Sequence, residues 1–457
     1  MAEKENKLGT APVGKLLLSL AIPCIAAQVV NLLYNIVDRI YIGHIPDIGA
    51  TALTGVGVTF PVIMIISAFS ALVGMGGAPR ASIKMGQKDN DGAEKILGNC
   101  LALSIVLSVI LMVIFEVFGR QLLMLFGASE QTIGYGWSYM AIYVLGTFFV
   151  TVTMGLNNFI STQGFAKTSM LTVIIGAVIN IILDPVFIFV FNMGVQGAAL
   201  ATILSQGISC VWVLRFLTSK RTILKIRAKN IRLSREVLLP VIALGVSPFI
   251  MQSTESLLNI CFNSSLQRYG GDLAVGAMTI LSSIMQFFNL PIMGLAQGAQ
   301  PIISYNYGAR DKDRVQKAFR LLFISAVTFS TVFWLINMLA PTLLVSLFAS
   351  TPELREYSAW ALRIYLAAGF MMGVQNSCQQ TFVAIGEAKI SLFLALLRKI
   401  ILLIPLIFIL PLFLADKVFA VFLAEPIADF LAAATTFTCF KIKFKKVIAK
   451  ISTENPQ

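Results

Sequence analysis

Charge is scarce in this sequence, and histidine is almost absent. Only 12% of the 457 residues are Asp, Glu, Lys or Arg, about half of the roughly 25% that is usual in soluble domains. So little charge cannot cover a water-facing surface of this size, which excludes a soluble globular protein. His44 is the only histidine, so a histidine-based metal centre is excluded as well.

Motifs that would carry enzyme chemistry are also missing. No G-x-x-x-x-G-K-[ST] sequence is present, so ATP hydrolysis is not expected. A membrane-embedded enzyme would need a catalytic dyad or a metal set, and neither pattern occurs; the protein is predicted not to be an enzyme and to need no cofactor. The six cysteines lack metal-ligand spacing and are predicted to be packing residues: Cys24, Cys100, Cys210, Cys261, Cys378 and Cys439.

The sequence has long apolar segments instead, and 57% of its residues are hydrophobic. The runs 51–79, 131–166, 273–309 and 321–352 carry no charge, whereas a membrane-spanning helix needs only about 20 apolar residues. The pattern predicts an all-α integral membrane protein with twelve transmembrane helices. The predicted spans are 14–42, 51–78, 96–118, 131–160, 168–191, 195–217, 237–266, 273–300, 318–340, 357–384, 390–413 and 418–440.

Lys and Arg are concentrated in alternate segments between the predicted spans. The rich segments include 215–235, 310–320 and 441–450, and Arg398 and Lys399 are assigned to the same side. Cytoplasmic segments of membrane proteins carry this excess. The distribution predicts a multi-pass protein of the plasma (inner) membrane with both termini in the cytoplasm. It also assigns the net charge of +13 to topology and lipid contact rather than to nucleic-acid binding.

The two halves of the chain repeat each other at a constant offset of 222 in sequence number. Residues 75–95 align with residues 297–317, and the register continues through later pairs. An even number of spans in each half makes the repeats parallel, an arrangement known among transporters. The predicted domains are an N-terminal six-helix bundle (1–217), a basic cytoplasmic linker (218–236) and a C-terminal six-helix bundle with a basic tail (237–457). Identical pairs include Gly76/Gly298, Pro79/Pro301, Gly86/Gly308, Asp89/Asp311, Tyr143/Tyr365, Gly164/Gly386 and Lys167/Lys389.

Charged residues within spans are costly and usually functional. In the N-terminal half, Asp38 and Asp184 are expected at similar outer depth. Asn180 lies one turn before Asp184 on the same helix face, and Thr202 enters from the next span. Two carboxylates in a low-dielectric site can share a proton, and four oxygens can coordinate Na⁺. The alternative is structural: Asp38 pairs with a basic residue, and Asp184 hydrogen-bonds at a kink at Pro185.

The C-terminal half has three acids within its predicted spans. Glu425 and Asp429 share a face of the last span, where Pro426 is expected to interrupt the helix, and Glu255 lies near the middle of the seventh. These acids are predicted to line a substrate cavity. Arg39 and Arg363 are the expected ion-pair partners of the embedded acids, a structural role that competes with the functional one.

Taken together, these motifs resemble the MATE (multidrug and toxic compound extrusion) family, in particular its MepA-like bacterial branch. The resemblance covers essentially the whole chain. It rests on the run Asn31-Leu-Leu-Tyr34-Asn35-Ile-Val-Asp38-Arg39, the repeated Pro79/Pro301 segments with Gly86/Gly308, Gln163-Gly164 against Ile385-Gly386, and Asn180-Ile-Ile-Leu-Asp184-Pro185.

The resemblance implies a V-shaped fold and cation-coupled antiport, driven by H⁺ or Na⁺, that exports amphipathic, often cationic, organic compounds. It implies a coupling-cation site at Asp38, Asn180, Asp184 and Thr202. Glu255 resembles a glutamate of the family's seventh helix, but the tenth span, at 371–376, lacks the acid that accompanies it in some members. A monomer is expected. The closest rival is a lipid-linked oligosaccharide flippase of the same superfamily, which would need several embedded basic residues for a pyrophosphate.

Overall fold

A computed structural model describes residues 7–349 and 351–453, and within these ranges the chain is helical with no β-strand. The predicted cytoplasmic placement of the termini falls on residues 1–6 and 454–457, which lie outside the described residues. The first nine helices are α1 (Lys7–Thr10), α2 (Val13–Gly43), α3 (Gly49–Gly57), α4 (Phe60–Gly86), α5 (Asn90–Leu125), α6 (Ile133–Leu145), α7 (Thr147–Thr162), α8 (Ala166–Pro185) and α9 (Gly194–Thr218).

The second half has the same order of helices. Two π-helical turns interrupt the regular pattern, Val186–Val190 after α8 and Leu397–Leu403 between α15 and α16. The remaining helices are α10 (Arg235–Gly308), α11 (Lys312–Leu339), α12 (Pro341–Val345), α13 (Pro352–Tyr365), α14 (Met372–Ala384), α15 (Ala388–Leu396), α16 (Ile404–Phe413) and α17 (Lys417–Thr453).

The helices of the described residues cover the twelve predicted spans. Among the described residues, nine helices are long and apolar enough to cross a membrane, and the bent pair α6–α7 makes a tenth. The 74-residue α10 contains two, because Gly271 has a non-helical backbone (φ 64°, ψ −160°) that divides it. The pair α13–α14 covers the remaining predicted span, 357–384, and it ends at Ala384, the position that matches the end of α7 at Thr162 in the repeat.

The predicted span 131–160 is sharply bent. The segment 131–160 consists of α6 and α7, which meet at Gly146 with a bend of 57°. Ile203 of α9 packs directly against this break, where a β-carbon on residue 146 would collide with it. The apolar run predicts membrane insertion, but the bend depends on a contact with another helix.

The repeat predicted from the sequence is present in the backbone. The starts of α2, α5 and α8, at Val13, Asn90 and Ala166, match those of α10, α11 and α15 in the register of the repeat. Asp89 and Asp311 cap α5 and α11 in the same way, each accepting a hydrogen bond from the backbone N–H three positions later. Hydrogen bonds from Lys84 and from the Gly92 N–H lower the pKa of Asp89. The all-α, two-repeat fold class is therefore confirmed.

The chain forms two compact units that each combine segments from both halves. One unit consists of residues 22–252, and the other consists of residues 1–21 and 253–457. Close backbone contacts explain why residues 1–21 and 237–252 each belong to the unit formed mainly by the other half. Within the first unit, Gly245 of α10 lies against the Leu72 backbone; within the second, Gly298 lies against Ala21. The units therefore differ from the predicted bundles at residues 1–21 and 237–252, and the division into bundles and linker stays a prediction.

The basic linker 218–236 is an ordered part of the unit formed by residues 22–252. The side-chain carbonyl oxygen of Gln163 accepts three hydrogen bonds of 2.8 Å, from the Thr222 hydroxyl and from the backbone N–H groups of Ile223 and Leu224. Glu94 of α5 binds Arg227. These contacts are polar and join segments that are distant in sequence, so the charge run alone does not predict them.

Candidate functional site

The four residues of the predicted coupling-cation site lie together in the unit formed by residues 22–252. Asp38 is on α2, Asn180 and Asp184 are one turn apart on α8, and Thr202 is on α9. The Asn180 amide donates to Asp184 Oδ1 at 3.3 Å and to Thr202 Oγ1 at 3.4 Å. The carboxyl groups of Asp38 and Asp184 are within hydrogen-bonding reach of each other. Three helices therefore bring two carboxylates, an amide and a hydroxyl to one point.

This site contains more acceptors than donors. Asp184 is fully buried and Asn180 is 1% exposed, while Asp38 is half-buried. Asp38 Oδ1, Asn180 Oδ1 and Asp184 Oδ2 are buried oxygens with no hydrogen-bond partner within the described part of the chain. Buried polar atoms are normally paired, and two adjacent carboxylates repel each other when both are ionised. A proton or a hard cation bound among these oxygens would give the unpaired oxygens a partner and would reduce the repulsion between the carboxylates.

Three tyrosines surround this site, although no sequence pattern assigned them to it. Tyr34 precedes Asp38 by one turn of α2 and lies near both carboxylates. Tyr139 is in hydrogen-bonding contact with Thr202, and its ring stacks on Tyr143 with 6.0 Å between centroids. The repeat indicated one of them in advance, because Tyr143 matches Tyr365 at the offset of 222. Both of these tyrosines are buried.

Pro185 changes the helix that carries Asp184. A proline inside a helix has no N–H to donate and displaces the preceding turn. Here α8 ends at Pro185 and continues as the π-helical turn Val186–Val190. Irregular turns of this type are frequent at functional sites. Arg39 was a predicted ion-pair partner of the embedded acids. It is exposed, and its guanidinium lies over the Phe60 ring at 5.7 Å from the centroid.

The three acids of the C-terminal half lie in a buried charge cluster. Arg398 Nε donates to Asp429 Oδ1 at 2.6 Å, and Arg398 Nη2 donates to Glu425 Oε1 at 3.2 Å. The neighbouring Lys399 forms an ion pair with Glu255 of α10. Three carboxylates and two cations therefore form one network inside the unit that contains residues 253–457.

The ion-pair partners predicted for these acids were wrong. The acids pair with Arg398 and Lys399, whereas Arg363 is exposed on α13. The charge pattern assigned Arg398 and Lys399 to the cytoplasmic segments, but they lie within the π-helical turn of the eleventh span, and the Lys399 side chain is 4% exposed. Their burial is possible because acids from two other helices compensate the cost of removing the charges from water.

The prediction for Pro426 was also wrong. The last helix, α17, continues from Lys417 to Thr453 without interruption at this proline. Pro426 is buried, and α17 packs along α14 and α16. Packing against neighbouring helices compensates for the one missing hydrogen bond of a proline in a transmembrane helix. Glu425 and Asp429 consequently stay one regular turn apart, in reach of the same arginine.

Comparisons with known proteins agree with this fold. The family model MatE matches twice, at residues 23–186 and 248–409, one match for each half. The chain is 25% identical over 440 residues to the multidrug export protein MepA of Staphylococcus haemolyticus (strain JCSC1435), covering 96% of both chains. It is 25% identical over 399 residues to MepA of Staphylococcus aureus (strain N315), covering 87% of both.

Solved structures show the same architecture. A crystal structure of MATE in the bent conformation matches with a TM-score of 0.92 at 24% identity, over 99% of this chain and 100% of that one. An outward-facing multidrug resistance MATE transporter of the MOP superfamily matches with a TM-score of 0.89 at 24% identity and the same coverage. The repeated six-helix fold and the two family-model matches lead to one conclusion: this chain is a multi-pass membrane protein that belongs to the MATE family of transporters.

Proposed function

We propose that the protein exports amphipathic, cationic organic compounds across the bacterial plasma membrane in exchange for H⁺ or Na⁺. The observation that carries this proposal is the set of three unpartnered oxygens on Asp38, Asn180 and Asp184 within the described chain. The curated relatives, which are named as multidrug export proteins, support export of drugs by this chain. Because the two repeats are covalently joined, one chain contains both parts that alternating access needs, and a monomer suffices.

The coupling step follows from the charge of the site at Asp38 and Asp184. When the site is empty, two carboxylates in a low-dielectric environment repel each other. A bound H⁺ or Na⁺ partly neutralises them, which stabilises a closer arrangement of α2 and α8. The cation thereby shifts the balance between two conformations, and it can do so only because it binds one of them more tightly.

The C-terminal acids support a cationic substrate. Three carboxylates against two cations leave the cluster of Glu255, Arg398, Lys399, Glu425 and Asp429 with an excess of negative charge. A lipid-linked oligosaccharide flippase would need basic groups free to bind a pyrophosphate. Arg398 and Lys399 are embedded cations, but both are paired with carboxylates, so the cluster favours an organic cation over an anionic lipid carrier.

A first prediction concerns the affinity for substrate. Glu255→Gln should weaken the binding of tetraphenylphosphonium, a permanent organic cation, because one ionic contact is lost. We expect a change of about tenfold, which corresponds to about 1.4 kcal/mol. Binding is measured by titration calorimetry on purified protein. Glu353→Gln, on the exposed first turn of α13, is the matched control and should bind as the wild type does. Unchanged affinity in Glu255→Gln would assign a structural role to this acid.

A second prediction concerns topology. If the basic linker faces the cytoplasm, a cysteine placed at the exposed Lys220 in a cysteine-free background resists a membrane-impermeant thiol reagent added outside intact cells. A cysteine at the exposed Glu130, in the turn before α6, should react under the same conditions. Equal labelling at both positions, with permeabilised cells as the reference for full reaction, would overturn the assigned orientation.

A further inference from the structure

An open groove lies between α11 and the last turns of α17, inside the unit that contains residues 253–457. Its volume is about 390 Å³, which is within the range of about 300–1,000 Å³ that is usual for small-molecule sites. Phe440 stacks on both Phe319 and Phe444, with 4.4 and 4.6 Å between ring centroids. The groove therefore has a packed aromatic wall. Its complete apolar lining consists of Phe319, Phe437, Phe440, Phe444 and Ile448.

The charged residues of the lining are both lysines. Lys441 and Lys445 lie one turn apart on α17, and both are exposed, as is Gln316 of α11. Neither lysine forms an ion pair within the described residues, whereas Lys443, which lies between them, pairs with Glu387 at 3.7 Å. The groove therefore combines an apolar wall with two ammonium groups and an amide that can donate a hydrogen bond.

In the first half of the chain, the linker covers the equivalent position. The register of the repeat matches residues 441–450 to residues 219–228. The latter segment leaves α9 after Thr218 and turns back over α5, where Leu224 is fully buried. In the second half, α17 continues through residues 441–450 as a helix. These residues do not turn back over α11, and the groove between the two helices stays open.

The charges at the equivalent positions are opposite in sign. In the first half, Glu94 of α5 accepts a hydrogen bond from the Lys225 N–H and pairs with the Arg227 guanidinium. On α11, Gln316 takes the place of Glu94, and the charge of the groove comes from its two lysines. An acid thus binds a basic segment in the first half. In the second half the ammonium groups favour an anionic occupant, and the phenylalanines favour one with an apolar part.

A phospholipid with an anionic headgroup meets both requirements. The helix α17 is long and apolar enough to span the membrane, and the excess of Lys and Arg predicts that residues 441–450 face the cytoplasm. Basic pockets between transmembrane helices on this side bind anionic headgroups, and an acyl chain packs readily against phenylalanine side chains.

We propose that the groove between α11 and α17 is a binding site for one anionic phospholipid, with its phosphate at Lys441 and Lys445 and an acyl chain along the phenylalanines. The site is separate from the proposed transport, because none of its residues belongs to the coupling-cation site or to the buried charge cluster. A lipid bound here contacts both α11 and the end of α17, and it should therefore stabilise the folded protein.

Native mass spectrometry of the delipidated full chain tests the proposal, with equal amounts of phosphatidylglycerol and phosphatidylcholine added. The wild type should retain one phosphatidylglycerol with a preference of about 25-fold, from about fivefold for each lysine. Lys441→Gln/Lys445→Gln should bind the two lipids about equally. Gln316→Glu should also lose the preference although both lysines remain, because it introduces the acid that the first half has at the equivalent position.

Lys220→Gln/Lys229→Gln is the matched control, because it removes two exposed charges from the linker, in the other unit. This variant should keep the preference for phosphatidylglycerol. Equal retention of both lipids by the wild type would overturn the proposal, because the groove would then contact lipid without selecting it. A preference that survives in Lys441→Gln/Lys445→Gln would also overturn it, because the selective site would lie elsewhere.

Thermal unfolding in detergent separates a lipid from other occupants of the groove. Phosphatidylglycerol should raise the melting temperature of the wild type and of the control, but not that of Lys441→Gln/Lys445→Gln. An equal rise with glycerol 3-phosphate would contradict the proposal, because a free phosphate anion would then suffice. A mass spectrum that shows a dimer without lipid would contradict it as well, since a second copy of the chain would then be the favoured occupant.

Discussion

Asp184→Asn is expected to abolish gradient-driven export while the protein remains folded. The amide is nearly the same size as the carboxylate, and its introduction removes a charge that is costly to bury beside Asp38. It cannot bind and release a proton, and it weakens any Na⁺ site by a full charge. Dye efflux should therefore fall to the level of cells without the protein, whereas melting temperature should stay equal or rise. Asp38→Asn should give the same result.

The measurement combines expression level, melting temperature in detergent and ethidium efflux from energised cells. Asp91→Asn, an exposed acid in the first turn of α5, is the matched control and should export normally. Efflux at the wild-type rate in both Asp184→Asn and Asp38→Asn, at wild-type expression, would contradict the coupling role. A large loss of stability in Asp184→Asn would indicate instead that the carboxylate has a structural role, because the substitution should relieve repulsion.

The second large effect is expected from Arg398→Met. Arg398 is the hydrogen-bonding partner of both Glu425 and Asp429, whose side chains are 6% and 5% exposed. Its removal leaves two buried carboxylates without their cation, and breaking a buried ion pair in this way costs about 3–5 kcal/mol. A marked drop in melting temperature and in the yield of folded protein should follow.

Substitutions that also neutralise the two acids show whether Arg398→Met destabilises the protein through unpaired charge or through lost packing. The triple variant Arg398→Met/Glu425→Gln/Asp429→Asn should recover much of the stability, because all three of these positions are then uncharged. Arg363→Met, at an exposed position on α13, should have a free energy of unfolding within about 0.5 kcal/mol of the wild type. A melting temperature in Arg398→Met as high as in Arg363→Met would show that the network contributes little to folding.

Much of the architecture could be predicted from the sequence because its signals are local and repeated. Long uncharged runs indicate membrane spans, and the constant offset of 222 identifies the second half from the first. The caps at Asp89 and Asp311 and the positive φ angles at Gly164 and Gly386 follow the same register. The shared position of Asn180 and Asp184 could also be predicted, because polar side chains one turn apart on a helix lie on the same face.

The C-terminal cluster could not be predicted in the same way. Arg398 and Lys399 stand together in the sequence, which is the usual appearance of a segment at the membrane surface. Their partners are distant in sequence, on α17 for Arg398 and on α10 for Lys399. The π-helical turn that directs adjacent side chains to two different helices has no local signature. Burial of these cations depends on tertiary contacts, so periodicity and composition contain no signal for it.

The two halves share a backbone but differ in chemistry at equivalent positions. Asp184 corresponds to Leu406 and Asn180 to Leu402, whereas Lys399 corresponds to Ala177 and Arg398 to Gly176. Where one half places charged or polar groups, the other places small or apolar ones. We infer that one half binds the coupling cation through acids with no paired base, and that the other presents acids that are already balanced by bases.

Transport by purified protein in vesicles tests most directly whether a cation gradient drives the export of an organic cation. Ethidium movement is followed by fluorescence while a pH gradient or a Na⁺ gradient is imposed separately. We expect ethidium to move against its own gradient with at least one of the two, to stop when that gradient is collapsed, and not to move with Asp184→Asn. Ethidium transport that is independent of both gradients, or equal in Asp184→Asn, would contradict the claim.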